Sequence, residues 1–195
     1  SIKCLLNFYS DYEGIIKINN INSKEILRTN NIISYIPDSQ ILYEELTVIE
    51  HFQFISSIYE TEARVQPLVD KFQLKPHLNK FPHEISKGTS QKVLIGCALL
   101  REFEILIADE PFNGLDPVQI IELRNIFKQL KANGKTVLVS THLLSIVEPI
   151  SDYYIMLDEG NVVSSGDIHS ILKNTSNCNS LEELYVYLSK DRRKK

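Results

Sequence analysis

Two adjacent carboxylates, Asp109 and Glu110, directly follow the apolar run "ILIA" at 105–108. Consecutive apolar residues predict a strand that is buried on both faces of a sheet. Charge at the end of such a strand is costly unless a cation or another partner compensates for it. Neighbouring strand residues point to opposite sides, so Asp109 could hold Mg²⁺ through its water shell while Glu110 polarises a water. An acidic turn after a core strand is the alternative interpretation.

Two further segments carry residue types that suit a phosphate ligand. In "EISKGTSQKVLIGCALL", Ser86 and Gly88 precede a helical pattern and would offer a hydroxyl and backbone N–H groups to an anion. In "TVLVSTH", His142 follows a second β-rich run, where it could hydrogen-bond a phosphate oxygen or an attacking water. A simply capped helix and a packed structural histidine are the alternatives.

The GK[ST] triplet at Gly134-Lys135-Thr136 resembles the end of a phosphate loop, but its surroundings argue against that role. Such a loop needs a glycine five residues before its GK, and position 129 is Gln129. It also needs a strand before it and a helix after it. Here a helical pattern stops at Asn133-Gly134 and a strand follows, so we predict a helix-to-strand turn.

The elements that must position these residues alternate along the chain. A helix is predicted at 1–8, then two short strands in "IIKIN" and "NIISYIP", then a helical block from Thr47 to about Phe72, where Pro67 should kink or divide the second helix. The later elements are a helix in "TSQKVLIGCALLRE", the strand "EILIAD", a helix at 117–132, a strand at 136–140, a short helix from Leu143, the strand "DYYIMLD", the hairpin-like "EGNVVSSG" and helices at 167–173 and 180–189. Strands that alternate with helices predict an α/β fold with a parallel sheet covered on both faces.

Composition limits the classes of protein. A chain of 195 residues with 43% hydrophobic and 24% charged residues is typical of one main globular domain, with room for an inserted subdomain. A net charge of −4 gives no basic footprint for nucleic acid. The three scattered cysteines favour neither disulfides nor zinc and suit a reducing, cytosolic compartment. The sequence has no apolar run long enough to cross a bilayer.

Taken together, four segments resemble the motifs of ATP-binding-cassette ATPases. "ISKGTSQK" resembles the signature sequence, "ILIADEP" the Walker B strand, "NGLDP" the D-loop, and "VLVSTH" the switch-histidine strand, over roughly residues 1–170. The resemblance implies a RecA-like P-loop NTPase core with an inserted α-helical subdomain, ATP and Mg²⁺ as ligands, and a head-to-tail dimer with a second cassette subunit. The implied domains are a core at 1–45 and 103–175, a helical signature subdomain at 46–102, and a C-terminal helix with a basic tail at 176–195.

The resemblance also assigns roles to residues. Asp109 would bind the metal, and Glu110 and His142 would be catalytic. All three would act on the ATP of their own subunit. Ser86 and Gly88 would contact the γ-phosphate of ATP held by the opposite subunit. The nucleotide-contacting set implied by the motifs is Ser86, Lys87, Gly88, Thr89, Gln91, Asp116 and Asp38.

Three departures from the family pattern affect these expectations. Asp38 stands where the family usually has a glutamine that contacts Mg²⁺ and the transport partner. A carboxylate can also bind a water of the Mg²⁺ shell, so the coupling of hydrolysis to transport would be altered rather than lost. Lys87 replaces a signature glycine and should point away from the phosphates. The family's phosphate loop lies just before a helix like "SIKCLLNF", so we expect it ahead of Ser1 and expect residues 1–195 alone to be inactive.

The resemblance implies an ATP-hydrolysing subunit of a bacterial-type transporter, peripheral on the inner face of the membrane and paired with a transmembrane permease. The segment "LYEELTV" resembles the corresponding segment of bacterial exporters that move peptides, antibiotics or lipids. A soluble, non-transport cassette protein or a non-hydrolysing regulatory module is the alternative. Such relatives usually carry a second cassette, a coiled-coil insertion or a basic surface, and none is evident in this sequence.

Overall fold

The apolar run 105–108 forms the middle strand of a parallel sheet, as its pattern predicts. The computed structural model describes residues 2–9, 11–25, 32–39, 41–173, 178 and 180–192. Strand β4 (Ile105–Asp109) lies between β3 (Ile33–Ile36) and β5 (Thr136–Ser140), and both pairings are parallel. Leu106, Ile107 and Ala108 are fully buried, so both faces of β4 are covered.

This sheet belongs to the first of two units, which comprises Ser1–Asp116 and Leu130–Ser140. The second unit comprises Pro117–Gln129 and Thr141–Lys195. The predicted core and subdomain boundaries remain a prediction. The other elements of the first unit are α1 (Ile2–Leu5), the antiparallel pair β1 (Lys17–Ile18) and β2 (Ile21–Asn22), α2 (Val48–Tyr59), α3 (Val65–Lys71), α4 (Lys87–Leu100), and 3-10 turns at Glu62–Arg64, Lys75–His77 and Pro82–Glu84.

The second predicted helix of the helical block, at 62–72, is divided into a 3-10 turn at Glu62–Arg64 and α3, which begins at Val65. Pro67 lies in the first turn of α3, where the helix has no carbonyl to offer its missing N–H. Helix α2 ends at Tyr59 and is followed by Glu60, which adopts a left-handed conformation (φ 55°). The N-terminus of α2 is held by Glu50, whose carboxylate accepts hydrogen bonds from the Thr47 N–H and hydroxyl, each 2.7 Å long.

Helices α2 and α4 pack closely because α4 carries a glycine opposite an aromatic ring. A methyl group on Gly96 would lie 2.5 Å from Cζ and 2.8 Å from Cε1 of Phe52, which is itself fully buried. The other face of α4 meets β3, where the Ser34 hydroxyl donates to the Ala98 carbonyl at 2.6 Å. Helix α4 is therefore fixed on two sides.

We expect Gly96→Val to lower the free energy of unfolding by about 2 kcal/mol or more, because overpacking against a buried ring outweighs the small gain in helix propensity. Urea unfolding followed by circular dichroism measures the change. Shortening the ring with Phe52→Leu in the same chain should restore part of the loss. Equal stability of Gly96→Val and the parent would contradict this packing.

In the second unit, a small apolar core lies between a β-hairpin and two helices. The buried core residues are Tyr154, Met156, Ile171, Leu181 and Leu184. The elements of this unit are most of α5 (Pro117–Ala132), α6 (Leu144–Val147), the antiparallel pair β6 (Tyr154–Asp158) and β7 (Asn161–Gly166), α7 (Ile168–Lys173) and α8 (Leu181–Arg192). The predicted hairpin and both predicted helices are therefore present.

The GKT triplet forms the predicted helix-to-strand turn. Gly134 is left-handed (φ 76°), and the N–H groups of Gly134 and Lys135 donate to the carbonyls of Lys131 and Leu130. The Lys135 ammonium donates to the Phe103 carbonyl at 2.6 Å, so it is engaged in the protein interior. Within the described ranges, no helix is both long and apolar enough to cross a membrane.

Candidate functional site

The carboxyl ends of β4 and β5 bring Asp109 and Ser140 together. The two residues are register partners, and the Ser140 hydroxyl donates a hydrogen bond to Oδ1 of Asp109. The residues of such a pair point to the same side of the sheet, where side-chain oxygens meet. Asp109 is half-buried. This arrangement leaves Oδ2 of the carboxylate to hold a cation through its water shell, with Ser140 orienting the group.

Glu110 lies in an unusual backbone conformation. Its φ of 46° is left-handed, which is disfavoured for a residue with a side chain. Its N–H donates to the Ser140 carbonyl at 2.9 Å, and its own carbonyl accepts from the Asn113 N–H at 3.2 Å. The loop that follows is anchored by Phe112, of which 2% is exposed. Strand β4 thus ends in a sharp turn at Glu110.

Asp38 and Asp109 act on the same aromatic ring. Burial raises the pKa of the Tyr35 phenol, and the negative charges of Asp109 and then Asp38 raise it further. Tyr35 lies on β3 beside Ile107 of β4, and Phe8 packs edge-on against it with 5.9 Å between ring centroids. Both carboxylates are therefore near enough to the Tyr35 phenol to disfavour its ionisation.

The start of α4 has the predicted cap. Ser86 is the N-cap, and its hydroxyl accepts a hydrogen bond from the Thr89 N–H at 3.2 Å and lies 3.0 Å from the Thr89 hydroxyl. Ser86 and Lys87 are exposed, whereas Gly88 is buried. A serine hydroxyl that accepts one hydrogen bond can still donate another, so Ser86 is able to cap the helix and bind an anion at once.

The remaining candidates lie in different environments. Gln91 is 2% exposed, and its side-chain amide donates to the Pro111 carbonyl at 3.2 Å, so that nitrogen faces the protein interior. Asp116 is exposed at the end of the first unit. His142 is exposed and belongs to the second unit, where the Leu143 N–H bonds the Thr141 hydroxyl and shapes the turn. The roles of all three remain predictions.

The donor set fits Mg²⁺ better than a softer metal. In the part of the chain that the structure describes, no three His, Cys, Asp or Glu side chains form a metal-binding cluster. Magnesium commonly takes one or two protein oxygen ligands and completes its shell with water and substrate phosphates. Asp109 and the Ser140 hydroxyl supply hard oxygen donors of that kind at one point, and Asp38 remains a predicted further donor. Cys4, Cys97 and Cys178 are free thiols, as the sequence predicts, and burial raises the pKa of Cys97 to about 12.

Sequence analysis missed two of these residues. Ser140 is a plain strand residue in "TVLVST", and its link to Asp109 depends on the register between strands 31 residues apart. Tyr35 carries no motif, and its position depends on β3 pairing with β4. The one available signal was that 105–109 and 136–140 were both predicted to be strands of one parallel sheet, whose carboxyl ends share an edge.

Known proteins resemble this chain both in sequence and in fold. The family model described as "ABC transporter" matches residues 1–113. The ABC-type transporter ATP-binding protein EcsA of Bacillus subtilis is 35% identical over 98% of this chain and 80% of its own length. A solved structure of the ATP-binding subunit of an ABC transporter is similar with a TM-score of 0.87 and 37% identity, over 96% of this chain and 81% of that one. A dimeric ATP-binding cassette solved in a post-hydrolysis state with ADP and phosphate shares the fold, with a TM-score of 0.71 and 24% identity over 80% and 74% of the two chains.

The fold is that of a RecA-like P-loop NTPase, with parallel strands, flanking helices and carboxylates at the strand ends. More narrowly, the chain belongs to the ABC transporter family, as an ATP-binding domain. The ATPase domains of this family bind ATP and generally hydrolyse it. The predicted family and fold are confirmed.

Proposed function

We propose that this protein is the ATP-hydrolysing subunit of a membrane exporter and acts as a head-to-tail dimer on the inner face of the membrane. The observation that carries the proposal is the site at the end of β4, where Asp109 is hydrogen-bonded by Ser140 and Glu110 follows in a left-handed backbone conformation. The two carboxylates can then take separate roles in one reaction. We propose a peptide, antibiotic or lipid as the transported substrate, because the segment "LYEELTV" resembles that of exporters of such molecules.

In this proposal, Glu110 accepts a proton from the attacking water, and Asp109 holds the water shell of Mg²⁺. Magnesium, when bound, would neutralise charge on the phosphates. His142 would hydrogen-bond the γ-phosphate, and the signature residues Ser86 and Gly88 would contact the phosphate held by the partner cassette. Binding of Mg·ATP in this fold also uses a phosphate loop, so we call a cassette that contains residues 1–195 together with a GxxxxGK[ST] loop the complete cassette.

A surface for the permease lies on the helical part of the first unit. Tyr43 and Phe54 meet edge to face with 5.7 Å between ring centroids, although 56% of Tyr43 and 44% of Phe54 are exposed. Ile58 follows Phe54 by one helical turn and is 55% exposed. We call these three residues the Tyr43 surface. Exposed apolar side chains that lie together, rather than singly, mark interaction sites, and aromatic residues are enriched at protein interfaces.

The loop that carries Tyr43 is held in place by a buried histidine. The Tyr43 N–H donates to Nε2 of His51 at 2.9 Å, while Nδ1 of His51 lies 2.8 Å from the Thr47 carbonyl. Both ring nitrogens of His51 are thus engaged with the backbone at the start of α2 and in the loop before it. The exposed carboxylates Glu44 and Glu45 follow Tyr43 directly. We infer that the partner is an amphipathic helix with apolar anchors and basic flanks.

Affinity purification of the tagged complete cassette from detergent-solubilised membranes tests the transport proposal. We expect a polytopic membrane protein to be recovered with the parent and to be lost with Tyr43→Ser, because the variant removes the central aromatic of the surface. Tyr153→Ser is the matched control, since Tyr153 is 63% exposed outside this surface.

Two results would contradict the proposal. Recovery of ribosomes in place of a membrane protein would favour the soluble, non-transport alternative. Equal loss of the membrane protein with Tyr43→Ser and Tyr153→Ser would show that the Tyr43 surface is not its binding site.

A further inference from the structure

A buried side chain connects the signature helix to the loop that follows Glu110. Gln91 lies in the second turn of α4, five residues after the N-cap Ser86, and only 2% of it is exposed. Its amide nitrogen donates to the Pro111 carbonyl at 3.2 Å, across 20 residues of sequence. Side-chain hydrogen bonds to a distant backbone carbonyl restrain that backbone wherever water cannot compete.

The carbonyl that Gln91 holds belongs to the residue after Glu110. Glu110 adopts the disfavoured left-handed conformation, so the surrounding structure must impose it. On one side the Glu110 N–H is fixed by the Ser140 carbonyl at 2.9 Å. On the other side the carbonyl of the next residue, Pro111, is fixed by Gln91. Pro111 itself has no N–H with which to anchor this turn, so its carbonyl is the polar group available for a restraint.

We propose that Gln91 is a positioning residue: it holds Glu110 in its left-handed turn and connects the Ser86 end of α4 to Glu110 in the same subunit. This inference rests on the proposed function, in which Ser86 contacts the partner's ATP and Glu110 acts on the subunit's own. Displacement of α4 by nucleotide at Ser86 would then move Pro111 and Glu110 through one hydrogen bond. The Gln91 amide nitrogen therefore bonds to the Pro111 carbonyl inside the protein and is not a nucleotide ligand.

The chain offers a matched control for the loss of a buried hydrogen bond to α4. Ser34 is 2% exposed, and its hydroxyl donates to the Ala98 carbonyl of α4 at 2.6 Å. This bond fixes α4 to β3 and does not touch the Glu110 loop. Ser34→Ala and Gln91→Met both remove one buried donor, so a general loss of stability should affect both variants in the same way.

Amide hydrogen exchange of the complete cassette tests the positioning role without requiring turnover. In Gln91→Met we expect the amides of Glu110 and Asn113 to exchange about tenfold faster, while Ile107 in the middle of β4 keeps its rate. In Ser34→Ala all three rates should change together or not at all. Gln91→Glu, which keeps the shape and replaces the donor by an acceptor, is the second variant if Gln91→Met does not fold.

Steady-state kinetics then tests the consequence for hydrolysis. Gln91→Met should lower kcat about tenfold and leave KM for ATP within about twofold, because the binding groups are intact and only Glu110 is misplaced. Ser34→Ala should keep both constants. Absence of phosphate release by the parent would refute the proposed function, while the exchange rates would still decide the role of Gln91. Uniform acceleration of all three amides in Gln91→Met would overturn the inference. Kinetic constants shared by Gln91→Met and Ser34→Ala would also overturn it.

Discussion

Glu110→Gln in the complete cassette is expected to lower ATP hydrolysis at least ~10²-fold while ATP binding and the dimer persist. Glutamine keeps the shape of the side chain but cannot accept a proton from water at neutral pH. The backbone that positions this residue, with φ 46° and its N–H on the Ser140 carbonyl, does not depend on the carboxylate. The loss should therefore be confined to kcat.

The measurement is phosphate release at saturating Mg·ATP, together with ATP binding and size-exclusion chromatography of the same samples. Glu13→Gln is the control, because it makes the same chemical change at an exposed position in another part of the unit. Turnover of Glu110→Gln equal to that of the parent would show that Glu110 is not the base. A loss of binding in parallel with turnover would show that the variant has disturbed the fold instead.

Ser86→Arg is expected to abolish ATP-induced dimerisation and to leave binding of ATP by the monomer largely intact. Ser86 is exposed at the N-terminus of α4, where the proposed dimer places the partner's γ-phosphate. Arginine adds bulk that a closed interface cannot accommodate, and it also removes the cap on the Thr89 N–H, which costs about 1 kcal/mol. The first effect acts on association and the second on stability.

Two further variants separate these effects. Ser86→Asp keeps a good helix cap but sets a negative charge against the phosphate, so it should also prevent dimerisation while the helix stays stable. Ser57→Arg introduces the same side chain at another exposed helical serine and should leave dimerisation unchanged. Light scattering with and without Mg·ATP measures the dimer. If Ser86→Arg still dimerises with ATP, the signature does not meet nucleotide across the interface.

Elements with strong local signals could be predicted from the sequence. The bounds of α5 and β5 agree with prediction because Asn133-Gly134 stops the helix and a β-branched run follows it. The same signals excluded a phosphate loop at Gly134-Lys135-Thr136, which the structure confirms as a turn. The Ser86 cap likewise follows from residue types within four positions of one another.

Features that depend on contacts between distant segments could not be predicted. The Ser140 bond to Asp109 needs the register of two parallel strands, and the Gln91 bond to Pro111 needs the docking of α4 against the end of β4. Gln91 lies within a motif that suggests a nucleotide ligand, yet burial directs its amide nitrogen inward. Pro67 indicates that the helix predicted at 62–72 is interrupted, but the exact boundary, at Val65, is not defined by periodicity.

The central claim is that the end of β4 forms a Mg²⁺-dependent site for ATP hydrolysis. Steady-state phosphate release by the complete cassette, with Mg·ATP and with ATP plus a chelator of divalent cations, tests that claim most directly. We expect turnover with Mg²⁺ that is lost with the chelator and with Glu110→Gln. Phosphate release that persists under both conditions, or that is absent from a parent protein that binds Mg·ATP, would contradict it.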